Sequence, residues 1–303
     1  MELNYDRETP KMESNMLISK CFVIYSALVG KYDDVVQPDV VDERFDYVLF
    51  TNDIHTKKIG VWQVRPIDYK NVDPTRICRY VKTHPEELLP EYKCSLWIDS
   101  NVRICSDTIY RRTMELFEEG VLVSSMWHPC RKCLYEEAFA VVNMMLEHEV
   151  VVAEWCHILR REGYPRGIGL FETDVLYRLH SNECVSQVDA LWWNCISHYS
   201  RRDQLSFTYA LWKKEVPFHY FLGKGKNVRN TEYFALIKHN RPTQNHCPIA
   251  KNEAWLMRYC WKDKSKEQEI EEMYYRLYKY PYPKLVFAVV GQVYRIRYWW
   301  IHK

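Results

Sequence analysis

Short apolar runs separated by polar turns set the rhythm of the first two-thirds of the chain. Cys21–Tyr25, Asp46–Phe50 and Gly60–Val64 each read as a strand closed by small or polar residues. Pro74 then opens a helical segment in which Ile77, Tyr80 and Val81 share apolar spacing, and His84-Pro85 closes it. Leu96–Ile98 is a buried strand that ends abruptly in Asp99-Ser100-Asn101, after which Val102-Arg103-Ile104 resumes an extended pattern. A short helix from Asp107 to Glu118 and a strand over Val121–Met126 follow. Helical spacing of Ala138, Val141 and Val142 predicts one long helix from Tyr135 to about Arg161, broken by Gly163 and Pro165. Phe171–His180 is a strand with an acidic beginning and a basic end. Helices over Gln187–Tyr199 and from Ser200 onward come next, the second with Leu205, Tyr209 and Trp212 on one side and Asp203 where an N-cap belongs. Pro217–Leu222 reads as a late strand, with a basic loop from Gly223 to Arg229.

Strands alternating with helices predict an α/β fold, a three-layer α/β/α sandwich on a mostly parallel central sheet. The expected division is a polar tail over 1–18, one α/β domain over 19–245 and a helical C-terminal extension over 246–303. Two helix-like segments cover about 251–278, and 284–303 mixes aromatic and basic residues as a packed terminal helix or an amphipathic membrane-surface helix does.

Composition narrows the classes. A hydrophobic share of 47% in 303 residues supports a sizeable core, and a formal charge of +2 argues against nucleic-acid binding through bulk electrostatics. The 11 cysteines sit largely in apolar segments, which fits free buried thiols in a reducing compartment. With a polar first stretch and no apolar run of membrane-spanning length, the expected location is cytoplasmic; peripheral contact at the inner face of a membrane through the C-terminal segment is the alternative to a packed terminal helix, which is the preferred reading. Oligomeric state is not legible.

Candidate chemistry gathers at strand ends, where ligands of open α/β sheets sit. A carboxylate at Asp99 is placed to hold a metal ion on a substrate phosphate, although a turn-capping Asp explains the hexapeptide alone better. Ala27 and Gly30 let a ligand approach the backbone, and Tyr32, Asp33, Thr51 and Asn52 are candidates for base or ribose contacts. Arg76 and Lys82 could meet a diphosphate. His128, Cys130 and Cys133 supply only three zinc ligands, short of a zinc site.

Five stretches share an order with a known family. They are Val29–Asp34, Trp97–Asn101, His128–Ala138, Glu172–His180 and Arg202–Phe207, spread over about 21–215. In these the chain resembles the TOD1/MUCI70 glycosyltransferase-like domain family, named after plant mucilage and pollen-tube proteins and with bacterial members among capsular polysaccharide genes. The resemblance implies a GT-A fold and a nucleotide-sugar donor, UDP-linked by preference. It implies a glycan or lipid-linked acceptor, and Mn²⁺ or Mg²⁺ at an Asp-x-Asp-like motif. Here that motif is Asp99-Ser100-Asn101, with a neutral amide in place of the second carboxylate, and His239 is the expected further metal ligand, with His219 and His246 as competitors. Asp203, with Gln204 beside it, is the expected catalytic carboxylate and Glu172 the second choice. Glu136, Glu137, His128 and Arg131 are expected around donor hydroxyls, and Arg178 and His180 on an acidic substrate group. Two other readings stand beside this one. One is a ceramidase-like hydrolase of the same family, against which no Gly-x-Ser-x-Gly motif is present. The other is a non-catalytic nucleotide-sugar or glycan-binding domain, favoured by Asn101.

Overall fold

The computed structural model describes residues 21–240, apart from positions 145 and 148. The polar tail over 1–18 and the whole C-terminal extension, His246 included, therefore lie outside the described residues. Within them the apolar runs pair into a seven-stranded sheet of order β3-β4-β2-β1-β5-β8-β7. Its strands are β1 (Phe22–Ala27), β2 (Phe45–Phe50), β3 (Lys58–Ile59), β4 (Trp62–Arg65), β5 (Cys94–Ile98), β7 (Val123–Trp127) and β8 (Phe171–Leu179). β4, β2, β1 and β5 run parallel. β8 runs against β5, and β7, antiparallel to β8, returns to the common direction. The mostly parallel sheet of the α/β expectation is thus present. A separate two-stranded ribbon joins β6 (Val102–Ile104) to β9 (Phe234–Leu236).

Strands covered on both faces carry apolar residues at successive positions. Val23, Tyr25 and Ala27 of β1 face a core shared with α1 (Pro74–Thr83), α6 (Glu183–His198) and α7 (Gln204–Lys213), through Val81, Trp192 and Phe207 among others. Ile24 faces the opposite core, where α3 (Thr108–Glu118) contributes Ile109, Tyr110 and Leu116. A third cluster joins α4 (Leu134–Asn143) and α5 (Glu149–Arg161) to Leu205 and Tyr209. The short α2 (Pro85–Leu88) follows α1 at the His84-Pro85 boundary.

Three local expectations are corrected. The long helix over 135–161 is two helices, because the break between α4 and α5 carries Glu147 to Ser200 Oγ and the Arg201 amide, at 3.0 and 3.2 Å. α6 starts four residues before Gln187, since Asn182 caps it by accepting from the Cys184 and Val185 amides. Pro217–Leu222 forms no strand: only Tyr220 bridges to Ser125, so the segment lies along the edge strand β7 without a ladder of its own.

A buried ion pair ties sheet to helix. Arg178 of β8 meets Asp189 of α6 at 2.8 Å, and its other nitrogen donates to the Tyr25 hydroxyl and the Lys82 carbonyl. Removing one partner of a buried pair leaves a desolvated charge. Asp189→Ala should therefore destabilise the fold by about 3–5 kcal/mol, read as a lowered midpoint in urea unfolding.

Candidate active site at the carboxyl end of the sheet

β5 delivers Asp99 to the carboxyl end of the sheet, between β1 and β8. Alternation turns Trp97 and Asp99 to the same side, and the Trp97 indole Nε1 donates to Asp99 Oδ1 at 2.6 Å. α1 reaches this point from the other direction. Asp73 caps its start, with Pro74 in the first turn, and Lys82 lies in its last turn. The Lys82 side chain is 0% exposed and its ammonium lies 3.2 Å from Asp99 Oδ1 and 2.7 Å from Asp203 Oδ2. The Asp99 side chain remains 28% exposed. Both inward contacts fall on Oδ1. A small cleft of about 10 Å³ borders Asp99 at the ends of β1, β2 and β5, its wall mostly apolar (Leu28, Leu49, Trp62, Ile98) with Ser26, Asp34 and Ser100 among the polar positions.

β8 contributes a bulge. Ser125 pairs with Leu176 and the next residue, Met126, with Glu172, so extra residues of β8 loop out between them. Ser125 Oγ bridges the bulge by contacts to the Glu172 and Val175 carbonyls at 2.7 and 2.8 Å. Such irregularities re-aim side chains beside functional sites. Thr173 donates to Asp203 at 3.0 Å, and the Asp99 amide donates to the Asp174 carbonyl at 2.8 Å. Glu172 Oε1 pairs with Arg229, while Glu172 Oε2 and both carboxylate oxygens of Asp174 are buried without a hydrogen-bond partner. Burial raises the Glu172 carboxyl above its usual range against the pull of Arg229. Asp174 is raised well above it, by burial first and then by the neighbouring charges of Glu172 and Asp99.

The ribbon closes the site from the far end of the described chain. Ile237 and Asn101 exchange backbone and side-chain hydrogen bonds, which sets the Asn101 amide 3.4 Å from His239 Nε2. His239 Nδ1 is 2.7 Å from Asp33 Oδ2, and its ring packs 4.8 Å from that of Tyr32. Asn240 adds contacts to Asp33 and Asp34. A carboxylate on Nδ1 fixes the imidazole and directs Nε2 outward, as second-shell partners of metal-bound histidines do.

Carboxylate, amide oxygen and imidazole form a donor set that suits Mn²⁺. Asp99, Asn101 and His239 are the residues that would hold such a cation; the Asn101 amide nitrogen faces the Ile237 carbonyl and His239 Nε2, so presenting its oxygen would give up the Ile237 contact. Among the described residues no group of three or more His, Cys, Asp or Glu side chains is assembled to hold a metal by itself.

Other expected site residues lie elsewhere in the fold. Arg178 and His180 do not reach a substrate, because both are buried in the sheet; His180 contacts Ser95 Oγ and the Tyr92 carbonyl at 2.8 and 3.0 Å. Asp203 does not cap α7 with its side chain. It is buried against Lys82 and Arg79, the latter at 3.2 Å. Burial pushes its carboxyl up, but Arg79, Lys82 and Arg202 outweigh burial and hold it well below the usual carboxylate range. Gln204 follows as the first residue of α7. Asn52 spends its amide on the Ile67 backbone, Thr51 Oγ1 accepts from the Asp53 amide, and Arg76 donates to the Tyr199 carbonyl. Ala27 is buried at the end of β1, and Gly30 takes the left-handed conformation its turn requires. His128, Arg131 and Glu137 pair with one another at the start of α4, while Glu136 accepts from the Lys132 amide.

The fold also brings Trp97, Arg79, Asp174 and Arg229 to this corner, against Asp99, Asp203 and Glu172. Asp174 has a sequence signal, a second carboxylate two positions from Glu172 inside an apolar strand, and Arg79 shares the basic helix with Arg76 and Lys82; Arg229 has none beyond its charge.

The TOD1/MUCI70, glycosyltransferase-like domain family matches residues 8–239, and the chain belongs to that family. No curated protein matches the chain. Among solved structures it is similar to the apo bifunctional glycosyltransferase WbbM, at 10% identity and TM-score 0.40, over 68% of this chain and 39% of that one. It is also similar to a glycosyltransferase involved in glycosylation of the major capsid of PBCV-1, at 11% identity and TM-score 0.33, over 66% of this chain and 79% of that one.

Burial, and then Arg178, lowers His180 from 6.5 to about 4. Between these values the unfolded chain takes up a proton that the folded chain refuses, so stability falls as pH falls through the window. His180→Asn should flatten that part of the fall, measured as Tm against pH from 7 to 4.

Proposed function

We propose that this domain moves a sugar from a UDP-sugar donor to a hydroxyl of a glycan or lipid-linked acceptor, with a divalent cation at Asp99, in the synthesis of a capsule or other surface polysaccharide. The observation that carries the reading is the state of Asp99. One carboxylate oxygen is held inward by Lys82 and Trp97, and the side chain is partly open to a cleft at the carboxyl end of a mostly parallel sheet. Family membership supports the class of reaction.

When bound, Mn²⁺ or Mg²⁺ would offset the charge that builds on the departing diphosphate. Asp99, Asn101 and His239 would hold it, and Asp33 orients the imidazole. Glu172 is the carboxylate suited to accept the acceptor's proton. It lies at the rim with one oxygen unpartnered, and its raised pKa brings it nearer the operating range of a general base. Asp203 is unsuited to that step, because three cations stabilise its ionised form. The non-catalytic reading rests on Asn101, and slow donor hydrolysis is the activity that separates the two.

Mn²⁺-dependent UDP binding, measured by calorimetry, should be present in the wild-type chain and lost in Asp99→Ala. Asp33→Asn should weaken it by about 10- to 100-fold through the loosened His239. UDP binding that is indifferent to Mn²⁺, or that survives Asp99→Ala, would count against the reading.

A further inference from the structure

Asp203 occupies the cap position of α7, yet only its carbonyl serves the helix, accepting from the Ser206 and Phe207 amides and from the Trp192 indole. Its side chain turns into the interior and gathers Arg79, Lys82 and Thr173. The Lys82 ammonium is shared. It lies 2.7 Å from Asp203 and 3.2 Å from Asp99, and the rings of Trp97 and Trp192 enclose it at 5.3 and 6.0 Å. No part of the Lys82 side chain is exposed, so its charge is answered by these carboxylates and not by water.

Charges in such surroundings interact strongly, and their division between partners matters. An ammonium committed wholly to Asp99 would cancel the charge that a cation at the cleft needs. We propose that Asp203 is a positioning residue: by taking the nearer share of the Lys82 ammonium, it keeps the Asp99 carboxylate negative toward the cleft and able to hold a divalent cation. The assignment rests on the reading of Asp99 as a metal ligand. It gives Asp203 a function without contact to substrate, and it casts Lys82 as a buried cation whose pull on Asp99 is relieved by Asp203.

The test is a titration with Mn²⁺ alone, followed by calorimetry, with thermal melts as a check on folding. Asp203→Asn hands Lys82 to Asp99 and should weaken Mn²⁺ binding about tenfold. Adding Lys82→Met to that variant removes the competing cation and should bring affinity back to within about threefold of wild type. A merely structural role predicts the reverse, since the double variant loses more of the buried network. Asp203→Asn with unchanged affinity, or a double variant no tighter than the single, overturns the inference. If Asp203→Asn does not fold, Lys82→Met alone decides: Arg79 still balances Asp203, and Mn²⁺ should bind at least as tightly as in wild type, while weaker binding overturns the inference. Mn²⁺ binding that Asp99→Ala abolishes but Asp203→Asn leaves intact sinks this inference and spares the proposed function. Absence of Mn²⁺ binding in the wild-type chain sinks both.

Discussion

A single buried ammonium joins the parts of this domain that matter. Lys82 reaches from α1 to the end of β5 and to the start of α7, and it is enclosed by indole rings from β5 and α6. A lysine in that position is tolerable only because carboxylates meet it from two sides. The arrangement fixes the distance between helix and sheet at the point where the cleft opens. Charge balance at the site is therefore a property of the fold as much as of the surface.

The acidic rim follows from the same geometry. Lys82 and Arg79 concentrate positive charge beneath Asp99 and Asp203, while the bulge of β8 gathers Glu172 and Asp174 above, with Arg229 as a half-exposed counter-ion on Glu172. Side chains at one strand end thus differ sharply in character. Asp203 is pinned in its charged form, and Asp174 is pressed toward its neutral one. The fold produces both by placing one carboxylate, at the start of α7, against cations and the other, in β8, in a buried setting beside like charge.

Much of the sheet was legible because its strands are apolar at successive positions and end in punctuating polar residues, as Leu96 to Asn101 do. The ribbon was not, because β9 is three residues long and its partner lies more than a hundred positions earlier, beyond the reach of any local pattern. The same limit applied to the site. Asp99 could be read from its strand as a residue at the sheet's carboxyl end, and His239 lies beside Asn101. The interior fate of Arg178, His180 and Asp203 could not be read, because a charged residue announces its type in sequence but not its partner. Arg178 finds Asp189, and Asp203 finds Lys82, only after the layers pack.

The Asp33 to His239 contact spans 206 positions and joins the first turn of the sheet to the last described strand. Closing so long a loop carries a large entropic cost before any contact repays it. During synthesis β1, β2 and β5 can pair long before residue 239 leaves the ribosome. The parallel half of the sheet can therefore form with Asp99 exposed and its imidazole neighbour still missing. Completion of the cleft is timed by the arrival of the ribbon, and a chain interrupted before about residue 234 would keep most of its core while lacking one wall of its site.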